Sequence, residues 1–271
     1  MGILNVTPDS FSDGGRHLEF EAAVARGIEM LGEGADLIDV GGESTRPGAD
    51  PVSIDDELAR VVPVIAALAA AGATTSVDTR HAEVAHAAVD AGATILNDVS
   101  ASLWAVAAER RVGWIAMHMA GDPSTMQHDP RYDDVVTEVR EFLVERAATA
   151  TAAGVDRVWI DPGFGFGKTP RHNIELVASI GELVATGVPV AVGVSRKSTL
   201  GVLAAASDRR VGLDAGESTP LDDRLAPGLA MATWAMSSGV SMIRVHDVRA
   251  HVQAALVVAG SIPPLPRVQP S

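Results

Sequence analysis

Short apolar runs alternate along the chain with Ala-rich stretches whose apolar residues recur at helical spacing. The first run, from Gly2 to Val6, carries one amide, Asn5, and opens into a polar loop, Thr7 to Gly15, where Pro8 bars a continuing central strand. Beyond it the pattern predicts helices over 19–34, 54–72, 81–92, 103–111, 133–154 and 172–187, several closed by a glycine. Strands are predicted between them, over 36–40, 74–77, 93–96, 114–117, 158–160 and 189–194. A polar stretch, 207–224, interrupts the next helical region, which resumes over 225–239. A last strand over 241–245 and a helix from 248 to about 259 close the unit. The tail, 261–271, holds four prolines and is expected to be disordered.

Strands that alternate with helices imply a parallel sheet. About eight such units in 271 residues fit a closed TIM-type (β/α)8 barrel over 1–260, a single α/β domain, better than an open doubly wound sheet. Spacing alone leaves the open sheet in play.

Composition narrows the function. With 35 acidic against 21 basic residues, the net charge of −14 argues against general binding to nucleic acid or an anionic membrane. It leaves room for an anionic small molecule, which answers to a few local Arg and Lys. The chain has no Cys, so disulfides and thiolate metal sites are excluded. No signal peptide or membrane helix is expected from the hydropathy pattern, and a soluble cytoplasmic protein is the expectation.

The candidate chemistry lies at the strand ends. They supply Asn5, Asp39, Asp78, Asn97, His118, Asp161, Lys197, Arg244 and His246. A parallel barrel gathers these ends on one face, where sites are built, and so many polar ends are costly unless they have partners or ligands. Asp78, Asn97, Asp161 and Lys197 suit a flat heterocycle edged with donors and acceptors. Arg46, Arg244 and His246 are cationic or donor-bearing, as a phosphate site requires. Asn5 offers an oxygen to a hard cation such as magnesium (Mg2+). The run from Pro162 to Thr169 approximates a P-loop but has Pro where that motif needs Gly, and it also fails as a dinucleotide fingerprint at Lys168. Its alternating glycines are expected to shape a turn beneath a ligand, with Phe166 as an apolar surface.

Seven motifs in order resemble the dihydropteroate synthase family over almost the whole chain. They begin with Gly2-Ile3-Leu4-Asn5-Val6-Thr7-Pro8-Asp9-Ser10-Phe11-Ser12-Asp13-Gly14-Gly15 and Asp39-Val40-Gly41-Gly42-Glu43-Ser44-Thr45-Arg46-Pro47-Gly48. Ser76-Val77-Asp78-Thr79 and Asn97-Asp98-Val99-Ser100 follow. The last three are 161–168, Ser195-Arg196-Lys197-Ser198 and Arg244-Val245-His246-Asp247. The resemblance implies a barrel transferase of folate biosynthesis. It would join 6-hydroxymethyl-7,8-dihydropterin diphosphate to 4-aminobenzoate, with Mg2+ as cofactor, a homodimeric assembly and sensitivity to sulfonamides. It implies that Asp78, Asn97, Asp161 and Lys197 hold the pterin with Met117 against its ring. Asn5, Arg46, Arg244 and His246 would hold the diphosphate with magnesium. Thr45, Pro47, Phe11, Phe166 and Ser198 would surround the aminobenzoate, and Asp9 on the first loop would help order the closed state. Asp78, Asp161, Lys197, Arg244 and His246 would carry the chemistry.

Ala101 and Ser102 stand where the family usually has two glycines, few residues precede the first motif, and 207–224 has no evident counterpart. Two other readings share the heterocycle site. A pterin-binding methyltransferase barrel would not need Arg46, Arg244 and His246, and a catalytically degenerate paralogue would bind pterin without turnover.

Overall fold

The computed structural model describes residues 1–7, 15–43, 52–122 and 125–260, with only the backbone at 15–18. Asp9, Phe11, Thr45, Arg46, Pro47 and the tail therefore lie outside the described residues. Among the described residues, eight short parallel strands alternate with helices. The strands are β1 (Gly2–Asn5), β2 (Ile38–Gly41), β3 (Thr75–Asp78), β4 (Ile95–Asp98), β5 (Gly113–Met117), β6 (Val158–Asp161), β7 (Ala191–Gly193) and β8 (Met242–Arg244). The helices are α1 (Gly15–Gly32), α2 (Ile54–Ala70), α3 (Ala82–Asp90), α4 (Trp104–Arg110) and α5 (Val135–Ala152). They continue with α6 (Pro170–Ala178), α7 (Ile180–Val184), α8 (Ser198–Arg210), α9 (Leu225–Ser237) and α10 (Val248–Val258).

Continuous ladders join β1 through β6 in order, and a separate ladder joins β7 to β8. The barrel is not closed by ladders all the way round. Its two seams carry isolated parallel bridges, Ile160 to Val190 and Gly2 to Val245.

Helix ends follow local chemistry. Ser53 caps α2 by accepting from the Asp56 N–H, and Asp55, Asp56 and Glu57 put negative charge on the positive end of its dipole. Asp134 caps α5, and Thr169 with His172 makes a capping box for α6, with Pro170 at the first helical position. Three expectations need correction. The helix predicted over 172–187 begins at Pro170 and breaks at Ser179 into α6 and α7. Residues 207–210, predicted to be loop, form the last turn of α8, where Arg209 and Arg210 favour the negative end of the dipole. Strands β3, β4 and β6 run on through Asp78, Asn97-Asp98 and Asp161, so these polar residues belong to the ladders themselves.

The core lies between helices and strands, with Ile38, Leu68, Trp114, Leu143 and Leu176 among its fully buried side chains. A second, smaller apolar cluster joins Leu37, Ile95, Ile115 and Ala191, with Met1, Trp159 and Met242 packed against it. Strand alternation points these residues into the barrel, where they form an apolar floor. Two positions beyond Leu37, Ile95, Trp159 and Met242, the polar residues Asp39, Asn97, Asp161 and Arg244 stand above it. Register sets Asn5, Asp78 and Asn97 level, since Asn5 pairs with Gly41, Gly41 with Asp78 and Asp78 with Asn97.

Ala101 has a left-handed φ of 50°, a conformation that favours glycine, and is buried. The Asp98 carboxylate shapes the turn around it. It accepts from the N–H groups of Ser100, Ser102 and Leu103 at 2.9, 2.7 and 2.7 Å, and from Trp114 Nε1 at 3.1 Å. Asp98 is fully buried, so its removal strands several donors at once. Asp98→Ala is expected to cost on the order of 3–5 kcal/mol, measured by urea unfolding; a loss below about 1 kcal/mol would show that water replaces the carboxylate.

Candidate active site

A pocket open to solvent sits above the polar row. Its lining includes Asp78, Asn97, Met117, Asp161, Phe166, Lys197 and Arg244, which brings together seven residues predicted for the site. Val99, Phe164 and Gly193 complete it. The sequence singled out none of these three, and as apolar or small residues they gave no chemical signal.

The polar side is a buried charge network. The fully buried Asp39 accepts from Ser76 Oγ at 2.5 Å, Asn97 Nδ2 at 3.0 Å and Arg244 Nε at 2.6 Å. Arg244 Nη2 donates to Asp78 at 2.5 Å. Burial pushes the Asp78 carboxyl up to about 7 against the pull of Arg244, and Asp39 and Glu57 add to the rise. Burial also raises Asp161, whose Oδ1 accepts the Gly163 N–H at 2.7 Å. Desolvation would lower Arg244, but Asp39 and Asp78 outweigh it and hold the guanidinium charged. Asp39 was placed among the strand ends without a role. A carboxylate in the middle of an apolar run, needing buried partners, was the available signal.

The Gly-rich turn is organised by Lys168, which is 2% exposed. Its ammonium lies 3.1 and 3.0 Å from the carbonyls of Gly163 and Phe166, and 3.0 Å from His118 Nδ1. Burial lowers Lys168 to about 7 and His118 to about 3, so His118 is neutral and accepts. A Cβ on Gly163, where φ is 65°, would stand 1.8 Å from the His118 carbonyl oxygen, so only glycine fits. The turn delivers Phe166 to the pocket, with Lys197 Nζ 4.0 Å from its ring centre.

His246 lies beside the pocket rather than in its lining. Its Nδ1 is 3.1 Å from Ser195 Oγ, and burial beside Arg244 and Arg196 lowers it to about 3. Of the two characters expected for it, cationic or donor-bearing, this leaves the neutral donor. Ser198 starts α8 at an exposed position next to Lys197, and Asn5 ends β1, half-buried. Glu43 and Arg80, which the sequence did not single out, form a forked ion pair with both contacts at 3.1 Å. Glu43 also meets the Val52 N–H at 3.4 Å, so one carboxylate ties residues 43 and 52 together.

A family model described as pterin binding enzyme matches residues 1–246. The dihydropteroate synthase of Mycobacterium leprae is 45% identical over 277 residues, covering 99% of this chain and 95% of that one. The chain belongs to the dihydropteroate synthase family. Membership makes it a transferase of folate biosynthesis. Among solved structures, the Xanthomonas albilineans enzyme with 4-aminobenzoic acid is 46% identical, with a TM-score of 0.84 over 97% of this chain and 93% of that one. The same enzyme in complex with 7,8-dihydropteroate aligns at 43% identity and a TM-score of 0.81, covering 97% and 94%. The seven motifs of the sequence and the whole-chain similarity thus agree on one family.

The buried groups set a signed pH dependence. His118 and His246 stay neutral in the fold, so they favour it above their ordinary value of 6.5 and oppose it as pH falls. Asp78, raised from 3.8 to about 7, acts in the opposite sense, because the fold holds a proton there that the unfolded chain releases. Each group contributes about 1.4 kcal/mol per pH unit. Between about pH 4 and 6.5, Asp78→Asn should therefore lose stability more steeply than the wild type on acidification, by about 1.4 kcal/mol per unit. Urea unfolding across that range checks it, and parallel slopes would refute it.

Proposed function

We propose that this chain joins 6-hydroxymethyl-7,8-dihydropterin diphosphate to 4-aminobenzoate in the described pocket, giving 7,8-dihydropteroate and diphosphate. The observation that carries the reading is one pocket in which Asp78, Asn97 and Asp161 stand with the Lys197 ammonium, walled by Met117, Phe164 and Phe166. A pterin presents donors along its pyrimidine edge and acceptors at its carbonyl and ring nitrogen, flat between two faces. Carboxylate and amide oxygens suit the first set and an ammonium the second. The apolar side chains suit the faces.

Arg244 and His246 belong to the diphosphate end in this proposal, with Arg46 from outside the described residues. Among the described residues no group of three His, Cys, Asp or Glu could hold a metal. The donor set nonetheless fits magnesium, which binds through few protein oxygens and takes phosphate oxygens and waters for the rest. Asn5 would supply the protein oxygen, on the register row that also holds Asp78 and Asn97. Bound there, the ion would add positive charge opposite the departing diphosphate. Phe11, Thr45, Pro47, Phe166 and Ser198 would receive the aminobenzoate, and Asp9 would order the first loop.

The arylamine is already a nucleophile, so no strong base is needed. The demanding step is breakage of the bond between the exocyclic methylene carbon and the diphosphate oxygen. The electron pair leaves with the diphosphate towards Arg244, and positive charge spreads over the pterin, where Asp78 and Asp161 stabilise it. The amine then forms the C–N bond and gives its proton to solvent. We infer this dissociative order from the two carboxylates, Asp78 and Asp161, that line the pocket. The protein is further assigned as a cytoplasmic homodimer. No described helix is long and apolar enough to cross a membrane, and α8 and α9 expose Leu203 and Trp234.

Diphosphate release should require magnesium, stop in EDTA, and yield dihydropteroate when 4-aminobenzoate is present. Without the amine, positional isotope exchange should scramble the bridging oxygen of the pterin diphosphate. Turnover without exchange would reject the dissociative order, and absence of turnover with magnesium would reject the reaction. Sedimentation of the same preparation as a single 28.0 kDa species would reject the dimer.

A further inference from the structure

Asp39 is wholly buried in β2, is not among the side chains lining the pocket, and yet touches two that are. Its Oδ1 is occupied by Ser76 Oγ and its Oδ2 by Asn97 Nδ2 and Arg244 Nε. A carboxylate only accepts. Facing it, the Asn97 amide is fixed in one sense, with Nδ2 towards Asp39 and Oδ1 left for other partners. The ends of an amide have nearly the same shape and opposite hydrogen-bonding character, so shape alone does not orient them.

Arg244 gives the second half of the argument. Its Nε is taken by Asp39 while its Nη2 reaches Asp78, dividing one guanidinium between two carboxylates. With Asp39 neutral, the whole attraction of Arg244 would fall on Asp78 and compete with any ligand N–H that Asp78 is to accept.

We propose that Asp39 is the positioning residue of the pterin pocket: it sets which end of the Asn97 amide the ligand meets, and it shares Arg244 so that Asp78 remains open to the ligand. The proposal rests on the pterin reading of the pocket. Asp39 touches no reacting atom; it acts through Asn97 and Arg244.

The charged groups facing Asp78 are Arg244 of β8, Asp39 of β2, Glu57 of α2, and Lys197 before α8. The test is binding of 6-hydroxymethylpterin, without diphosphate, followed by calorimetry from about pH 5 to 9, a range that spans the Asp78 midpoint. Thermal melts of each variant run alongside. The wild type should bind more tightly as pH rises through about 7, when Asp78 loses its proton. Asp39→Asn should bind about tenfold more weakly or worse at high pH, the worth of one charge-assisted hydrogen bond. Its midpoint should also move to lower pH, because a negative neighbour that raises Asp78 is gone. A merely structural role would lower the melting temperature and leave the midpoint in place, and that result would overturn the proposal. Ser76→Ala removes only the hydroxyl that steadies Asp39; it should weaken binding severalfold and lower the melt, since Asp39 Oδ1 loses a buried partner, while the protein stays folded. If Asp39→Asn does not fold, Ser76→Ala decides: wild-type affinity there overturns the proposal and the severalfold loss supports it. Failure of the wild type to bind the pterin would overturn the pocket reading and this proposal together. Wild-type binding that Asp39→Asn leaves unchanged would overturn the proposal alone.

Discussion

Arg244 bridges Asp39 and Asp78 inside the barrel at 2.6 and 2.5 Å, and such a group of charges is expensive to bury. Each ion taken from water costs several kcal/mol, offset only where geometry is good and remaining hydrogen-bonding positions are filled. Ser76 and Asn97 fill them at Asp39. All five residues project from short parallel strands, whose ladders allow little adjustment. The apolar floor of Leu37, Ile95, Ile115 and Ala191 shuts water out from below. The network therefore depends on the barrel for its dry side, and the pocket depends on the network for its charge.

Much of this was legible in the sequence. Short apolar runs with polar ends located the eight strands, and parallel topology implied that the ends would meet. Asp78, Asn97, Asp161, Lys197 and Arg244 do line one pocket. What stayed illegible depends on distant partners. Asp39 shows in the sequence only as a carboxylate within an apolar run, and its role appears once Ser76, Asn97 and Arg244 are placed around it, one of them 205 positions away. The forked pairing of Glu43 with Arg80 likewise needs two neighbouring strands to be aligned. The narrowing of the seams to single bridges leaves no mark on local pattern. The break at Ser179 passed unseen because residues on both sides of it favour helix.

The Gly-rich turn shows how a motif can mislead in one respect and inform in another. Its lysine stands near the position where a P-loop would hold phosphate, yet the Lys168 ammonium is consumed by backbone carbonyls and His118. Burial among those partners lowers its affinity for a proton, so it is a poor anion binder and a good clasp. The glycines serve that clasp. Gly163 must be glycine because the His118 carbonyl occupies the space of a side chain. The result is an apolar ring, Phe166, carried into the pocket on a rigid turn, and a Gly163 N–H aimed at Asp161.

The sign of the charge in each part of the site then follows from the fold. Carboxylates stand in the pocket and behind it because β2, β3 and β6 place them there, two of them raised by burial and so reluctant to carry charge without a partner. A cation forming above them would be such a partner, and it would form only as the diphosphate departs. Interactions that strengthen as the reaction proceeds speed it, whereas those equally strong in the resting complex do not. Asp78 and Asp161 fit the first description because their charge is costly in the resting site. In the proposed reaction Arg244, already paired with two carboxylates, would bring less net attraction to a bound diphosphate than a lone guanidinium. That would restrain ground-state binding and leave its full charge to matter as negative charge builds on the leaving oxygen. A network that is expensive to build is thus suited to a reaction whose own charge separation relieves it.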